Sequence, residues 1–181
     1  MLSASRISAS VASWLWLNRA LAARMANKLG FADPHENQRP LTESVLKLLA
    51  QEQVDFTIFW RRLSHAVASI SHASSGQAFE PVRDLFIQHA AFDTWLPSYL
   101  SRLEKQDLPE TATQMRNINP KFVLRNHLGE AAIKQAKMGD FSGVQTLLTL
   151  LSSPFDEHPG FDEFAAFPPD WASSIEISCS S

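Results

Sequence analysis

The one cysteine of this chain, Cys179, stands third from the end in the polar run Ser178-Cys179-Ser180-Ser181. A single thiol excludes an internal disulfide framework and a cysteine-based zinc site. Three roles remain for it: an inert thiol, a redox thiol, or half of a disulfide whose partner lies elsewhere. A polar tail leaves the thiol exposed rather than packed, and composition alone favours the bystander. His65 and His72 are seven residues apart and share a face if one helix reaches both. Two histidines with no neighbouring carboxylate or third ligand are a weak metal signal. Ser64 and His65 adjoin, but no elbow motif makes them a nucleophile and its base. Glu130 and Asp140 fall on different elements, and nothing in the sequence makes these carboxylates converge. Asp140-Phe141-Ser142-Gly143 looks like the metal-binding tripeptide of kinases. It opens an amphipathic helix, however, and lacks an upstream catalytic loop. Capping that helix is the better role for Asp140. Phe56, Phe59 and Trp60 sit at helical spacing, which makes a core or docking stripe before it makes a ligand box. The six glycines are unclustered, so no phosphate-cradling loop is read.

The elements that must carry these residues are helical almost throughout. Residues 10–29 form a first helix with Trp14, Leu17, Leu21 and Met25 on one stripe, stopped by Gly30. Phe31 to Pro40 is a loop. Thr42 caps a second helix whose stripe is Val45, Leu46, Leu48 and Leu49. Asp55 caps a third that reaches about His72, with Phe56, Phe59, Trp60, Leu63 and Val67 inward. Ser71 to Gln77 reads as a loop. Pro81 suits the first turn of a short helix that continues through Asp84 to Phe86. Trp95, Tyr99 and Leu103 line the next helix, and Pro97 places its start near Asp93 or Thr94, or else kinks it. Thr111 to Ile118 is helical and ends at Asn119-Pro120. Leu124 to Met138 follows, stopped by Gly139. The helix after Asp140 turns Val144, Leu147, Leu148 and Leu151 inward. From Pro154 the chain has little helix or strand period. Its aromatic residues suggest a tail that wraps over a surface.

The predicted fold class is therefore all-α, an irregular bundle of about seven helices with an extended C-terminal tail. The expected organisation is residues 1–23 as an N-terminal helix, 24–153 as a helical domain, and 154–181 as the tail. With 181 residues, 45% hydrophobic and 19% charged, the chain can build one globular core. A net charge of -3, with no basic cluster beyond Arg61-Arg62, argues against a nucleic-acid partner. No apolar run approaches the ~20 residues that span a bilayer. Residues 1–32 hold Arg6, Arg19, Arg24 and Lys28 but no acidic residue, the composition of a mitochondrial transit peptide. The alternative is an amphipathic helix at the edge of the domain, and the helical pattern does run straight into that domain.

Two blocks of sequence carry a family resemblance. One runs Met115-Arg116-Asn117-Ile118-Asn119-Pro120-Lys121-Phe122-Val123-Leu124-Arg125-Asn126-His127-Leu128. It continues through Gly139-Asp140-Phe141-Ser142 and Ser153-Pro154-Phe155-Asp156-Glu157-His158-Pro159 to Cys179-Ser180-Ser181. The other comprises Arg24-Met25, Lys28-Leu29-Gly30 and Asp55-Phe56-Thr57-Ile58-Phe59-Trp60-Arg61-Arg62-Leu63-Ser64. In this order they resemble the C-terminal, all-helical part of the selenoprotein O family, also called YdiU, over about Arg24 to Ser181.

The resemblance implies a kinase-like protein adenylyltransferase that binds ATP inverted. Such a protein transfers AMP to Ser, Thr or Tyr hydroxyls of target proteins with Mg²⁺ or Mn²⁺. The family's phosphate-binding Lys, its Glu partner and the metal-binding Asn and Asp lie N-terminal to the matched region. No catalytic, cofactor-binding or metal-binding residue is therefore carried onto this chain. The terminal cysteine of the family aligns with Cys179. There it is linked to redox control through a disulfide to the catalytic core. Without a second cysteine here, Cys179 would act in trans, with another chain or with glutathione.

The leading expectation is a family fragment, itself inactive, whose partner is the missing catalytic core and which presents a broad apolar face to it. The alternative is a stand-alone helical interaction module without catalysis. Residual enzyme activity of the bundle ranks last. A cytoplasmic location is expected if the source is bacterial; the alternative is a mitochondrial one.

Overall fold

The computed structural model describes residues 20–31, 39–70, 75–104 and 106–174. Among these the architecture is all-α: eight α-helices and two short 3₁₀ helices, with no strand. The helices are α1 (residues 20–28), α2 (Arg39–Gln51), α3 (Phe56–Ser69) and α4 (Ser75–Arg83). They are followed by α5 (His89–Leu103), α6 (Leu108–Ile118), α7 (Asn126–Lys137) and α8 (Ser142–Ser152). The 3₁₀ helices, Asp162–Ala165 and Asp170–Ser174, belong to the tail. The first helix upstream of residue 20, most of the predicted 31–40 loop, His72 and Cys179 lie outside the described residues.

Local signals place several helix ends. Gly30 takes φ 87°, a left-handed stop that glycine adopts without a Cβ penalty. Gly139 does the same after α7 with φ 85°. Asp55 caps α3 by accepting from the Ile58 amide at 2.9 Å. Asn119, held extended before Pro120, ends α6.

Other boundaries differ from the sequence expectation. Helix α2 starts at Arg39 rather than after Thr42, because Pro40 sits in a first turn whose N–H groups need no intrahelical partner. Helix α6 starts at Leu108, capped by Asp107 and followed by Pro109. Helix α3 ends at Ser69, short of His72, and α4 begins at Ser75 inside the predicted loop. Pro81 lies inside α4, not in its first turn, and Asp84 to Phe86 follow that helix rather than extend it. Pro97 lies inside α5, which starts at His89. An interior proline costs about 3 kcal/mol. Helix α5 buries Phe92, Trp95, Tyr99 and Leu103, each worth roughly 1.5–3 kcal/mol, so burial outweighs the backbone penalty.

The core is built from residues of α1 through α6. Helix α3 packs on α4 and α6, and α2 packs on α5. Rings in edge, stacked or tilted contact run through it from Phe59 to Phe86, Phe92, Trp95 and Tyr99. The Tyr99 hydroxyl donates to the Leu29 carbonyl at 3.0 Å and so ties α5 to the end of α1. Helices α7 and α8 pack on each other, and no residue of either belongs to this core. Several predicted inward positions face solvent: Phe56, Val144 and Leu148 are exposed, as is Leu21 of the first stripe, while α8 buries Leu147 and Leu150. Periodicity had marked an apolar stripe on α8, but its apolar residues cover more than one face. The described part of the tail lies against α3 through Phe155 and Phe167, but no residue from 154 to 172 is fully buried.

Candidate functional site

The 119–126 run that carries the resemblance is the point where the bundle, the α7–α8 hairpin and the tail meet. Asn119 is fully buried at the C-terminal end of α6. Its Nδ2 donates to the Lys28 carbonyl at 3.1 Å and to Ser64 Oγ at 3.0 Å. Its Oδ1 accepts from Lys28 Nζ at 3.1 Å, so one amide joins α1, α3 and α6. Burial lowers the Lys28 pKa.

Arg61 enters the same junction from α3. Its Nη1 donates to the carbonyls of Arg116 and Asn119, both at 3.1 Å. These belong to the last turn of α6, where carbonyls lack intrahelical partners and the helix dipole is negative. Its Nη2 donates to the Phe155 carbonyl at 3.1 Å and pairs with Glu157. A guanidinium suits this task because its donors are fixed in a plane and its charge persists on burial.

Lys121 completes the attachment of the tail. The amides of Lys121 and Phe122 donate to the Pro154 carbonyl at 2.8 and 3.1 Å. Lys121 Nζ reaches the Glu157 carbonyl at 2.6 Å and Asp162 Oδ1 at 2.7 Å. Further along, Arg125 clamps Asp55 with two hydrogen bonds of 2.7 and 3.1 Å, joining the start of α7 to the cap of α3. Arg62 lies over the Phe167 ring, and His127 meets Trp171 edge-on. A cavity of about 400 Å³ opens between α3 and the tail, lined by Arg61, His65, Lys121, Glu157, Asp162 and Phe167 among others.

The carboxylates here are held below their ordinary range. Burial alone would raise Asp55 and Glu157. Arg125 and the Ile58 amide outweigh it at Asp55, and Arg61 does so at Glu157. Lys121 lowers Asp162. Burial depresses His65, which lies 3.4 Å from Glu157, and keeps it neutral near pH 7. Each of these groups binds protons less readily folded than unfolded, so stability rises with pH through each titration. Acidification therefore weakens the fold in two stages, from the histidine below about pH 6.5 and from the carboxylates below about pH 4. Asp55→Asn is expected to be less stable at neutral pH and to lose less stability on going into the lower stage. Urea midpoints across the acid range check this. Parallel curves for the two proteins would remove Asp55 from the account.

The chemistry weighed in the sequence does not assemble. Ser64 is buried, and its hydroxyl donates to the Trp60 carbonyl at 2.8 Å while accepting from Asn119, so it is no nucleophile. Glu130 pairs with Lys134 in the same helix turn, and Asp140 accepts from the Ser142 amide at 2.9 Å. Asp140 thus serves the start of α8, although Phe141 holds the N-cap position itself. Among the described residues no three His, Cys, Asp or Glu side chains are grouped to hold a metal ion. The sequence marked Asn119 as a helix end, and it set Arg61, Lys121 and Glu157 in the family-matching blocks without a role at a site. The available signal was a charge at position 61 inside an aromatic, core-facing helix.

The family described as "Protein adenylyltransferase SelO" matches residues 3–152. The chain is 56% identical over 163 residues to a protein nucleotidyltransferase YdiU of Variovorax paradoxus, covering 90% of this chain and 32% of that protein. It is also 56% identical to that of Albidiferax ferrireducens, covering 87% of this chain and 31% of that protein. For Thiobacillus denitrificans the identity is 49%, with 90% and 33% covered. With its motif run seated at the junction of an all-helical bundle, the chain belongs to the SelO family. It spans about a third of the length of these curated relatives. No described helix is long and apolar enough to cross a membrane.

Proposed function

We propose that this chain supplies the helical scaffold of a SelO-type protein nucleotidyltransferase and does not itself handle the nucleotide. In this reading the whole protein would transfer AMP from ATP, with Mg²⁺ or Mn²⁺, to hydroxyls of target proteins. The catalytic core would be this scaffold's partner. One observation carries the reading: the three cations that gather at the junction, Arg61, Lys121 and Arg125, already have acceptors inside the protein. Arg61 is spent on three carbonyls and Glu157, Lys121 on Glu157 and Asp162, and Arg125 on Asp55. Phosphoryl and nucleotidyl transfer need positive groups free to surround the phosphates. The described residues do not fit a triphosphate and its metal, so no catalytic step is assigned to them. The bacterial sources of the matched relatives support a cytoplasmic location and give no support to a mitochondrial one.

Isothermal titration of the purified chain with ATP and Mg²⁺ is expected to give only heats of dilution. Saturable binding would end the scaffold reading, because the chain would then possess a nucleotide site.

A further inference from the structure

We infer that the outer stripe of α8 is a docking seam for the part of a SelO-type polypeptide that this chain does not span. The inference rests on the scaffold reading and names the surface through which the scaffold acts. Helix α8 has the sequence Ser-Gly-Val-Gln-Thr-Leu-Leu-Thr-Leu-Leu-Ser, without one charged side chain. It buries only Leu147 and Leu150. A helix that meets water on its outer side ordinarily carries charge there, and an uncharged one is ordinarily enclosed.

The stripe left uncovered is apolar and in helical register. Phe141 is 65% exposed, Val144 42% and Leu148 59%, at i, i+3 and i+7. Met138, 79% exposed, extends it across the turn from α7. Apolar exposure is also weighted toward the C-terminal part of the described chain, and four such side chains lie on this stripe. Of the fourteen large apolar side chains exposed among the described residues, ten lie from Leu124 onward.

The hairpin that carries the stripe is poorly supported by the rest of the fold. Helices of 12 and 11 residues are marginal by themselves, and neither contributes to the shared core. What ties this region to the bundle is largely polar: Arg125 to Asp55, and Arg61 and Lys121 to the tail. The missing apolar support needs a source. The curated relatives carry about twice as much additional sequence as this chain matches, in the same polypeptide. A segment joined covalently is present at high effective concentration. With no charge on α8, the complementary surface must be apolar as well.

Carbene footprinting of two proteins tests this: the present chain, and the full-length Variovorax paradoxus relative. The stripe is expected to label strongly in the present chain. At the matching positions of the relative, labelling is expected to fall by about fivefold, as for side chains moving from solvent into an interface core. Equal labelling in both proteins would overturn the seam. Weak labelling in the present chain, together with a dimeric mass by light scattering, would also overturn it in favour of a second copy as occupant. Neither result bears on ATP binding, so the seam and the scaffold reading fail separately.

Discussion

Arg61→Met is expected to destabilise the protein by about 3–5 kcal/mol, the range for removing one partner from a buried charged network. The side chain is only 8% exposed, whereas its partner Glu157 is 51% exposed. That asymmetry decides where the energy lies. The ion pair with Glu157 is open to water and salt, so by itself it is worth at most about 1 kcal/mol. The larger share comes from the carbonyls of Arg116, Asn119 and Phe155, which lose a charged donor inside the structure. Methionine has a similar length and leaves little void, so the loss reports on polar contacts rather than packing. Glu157→Gln is expected to cost only about 1 kcal/mol by comparison. Urea unfolding followed by circular dichroism measures both. Equal costs for the two variants would mean that the ion pair, not the carbonyl clamp, holds the junction.

Gly30→Ala is expected to cost about 2–4 kcal/mol, combining a left-handed backbone penalty with overpacking. The backbone at Gly30 has φ +87°, and an added Cβ would lie 2.5 Å from Thr111 Cγ2 and 3.0 Å from Met115 Sδ. Both neighbours are buried in α6 and have little room to give. Gly139 provides the control: φ is +85°, but nothing stands within 4 Å of an added Cβ. Gly139→Ala is expected to cost only the backbone share, about 1–2 kcal/mol. Thermal melts of the two variants should therefore separate by several degrees, with Gly30→Ala the lower. Coincident melts would show that the α1–α6 contact yields to the added methyl.

The features most legible in the sequence were those whose cause is local. Asp55 and Gly30 mark helix ends because a carboxylate or a missing Cβ acts within three or four residues. Proline misled for the same reason. Pro81 and Pro97 carry local penalties, yet Val82 and Tyr99 beside them are fully buried, and tertiary packing sets the helix despite them. Periodicity marked Phe56, Val144 and Leu148 as apolar positions but could not say what would cover them. The junction was the least legible part. Asn119 meets Ser64 across 55 residues and Arg61 meets Glu157 across 96, and no local rule links such positions. The resemblance singled out the right stretch of chain without its geometry.

Those separations have a bearing on synthesis. Arg61 leaves the ribosome 96 residues ahead of Glu157. At about 5–20 residues per second, that is an interval of roughly 5–20 s. Once α5 has emerged, in the later part of that interval, the aromatic contacts of α3 to α5 can form while the guanidinium still has water in place of its last two acceptors. The nascent bundle thus acquires its oily interior first, and the segment around Phe155 and Glu157 arrives later as the fastening.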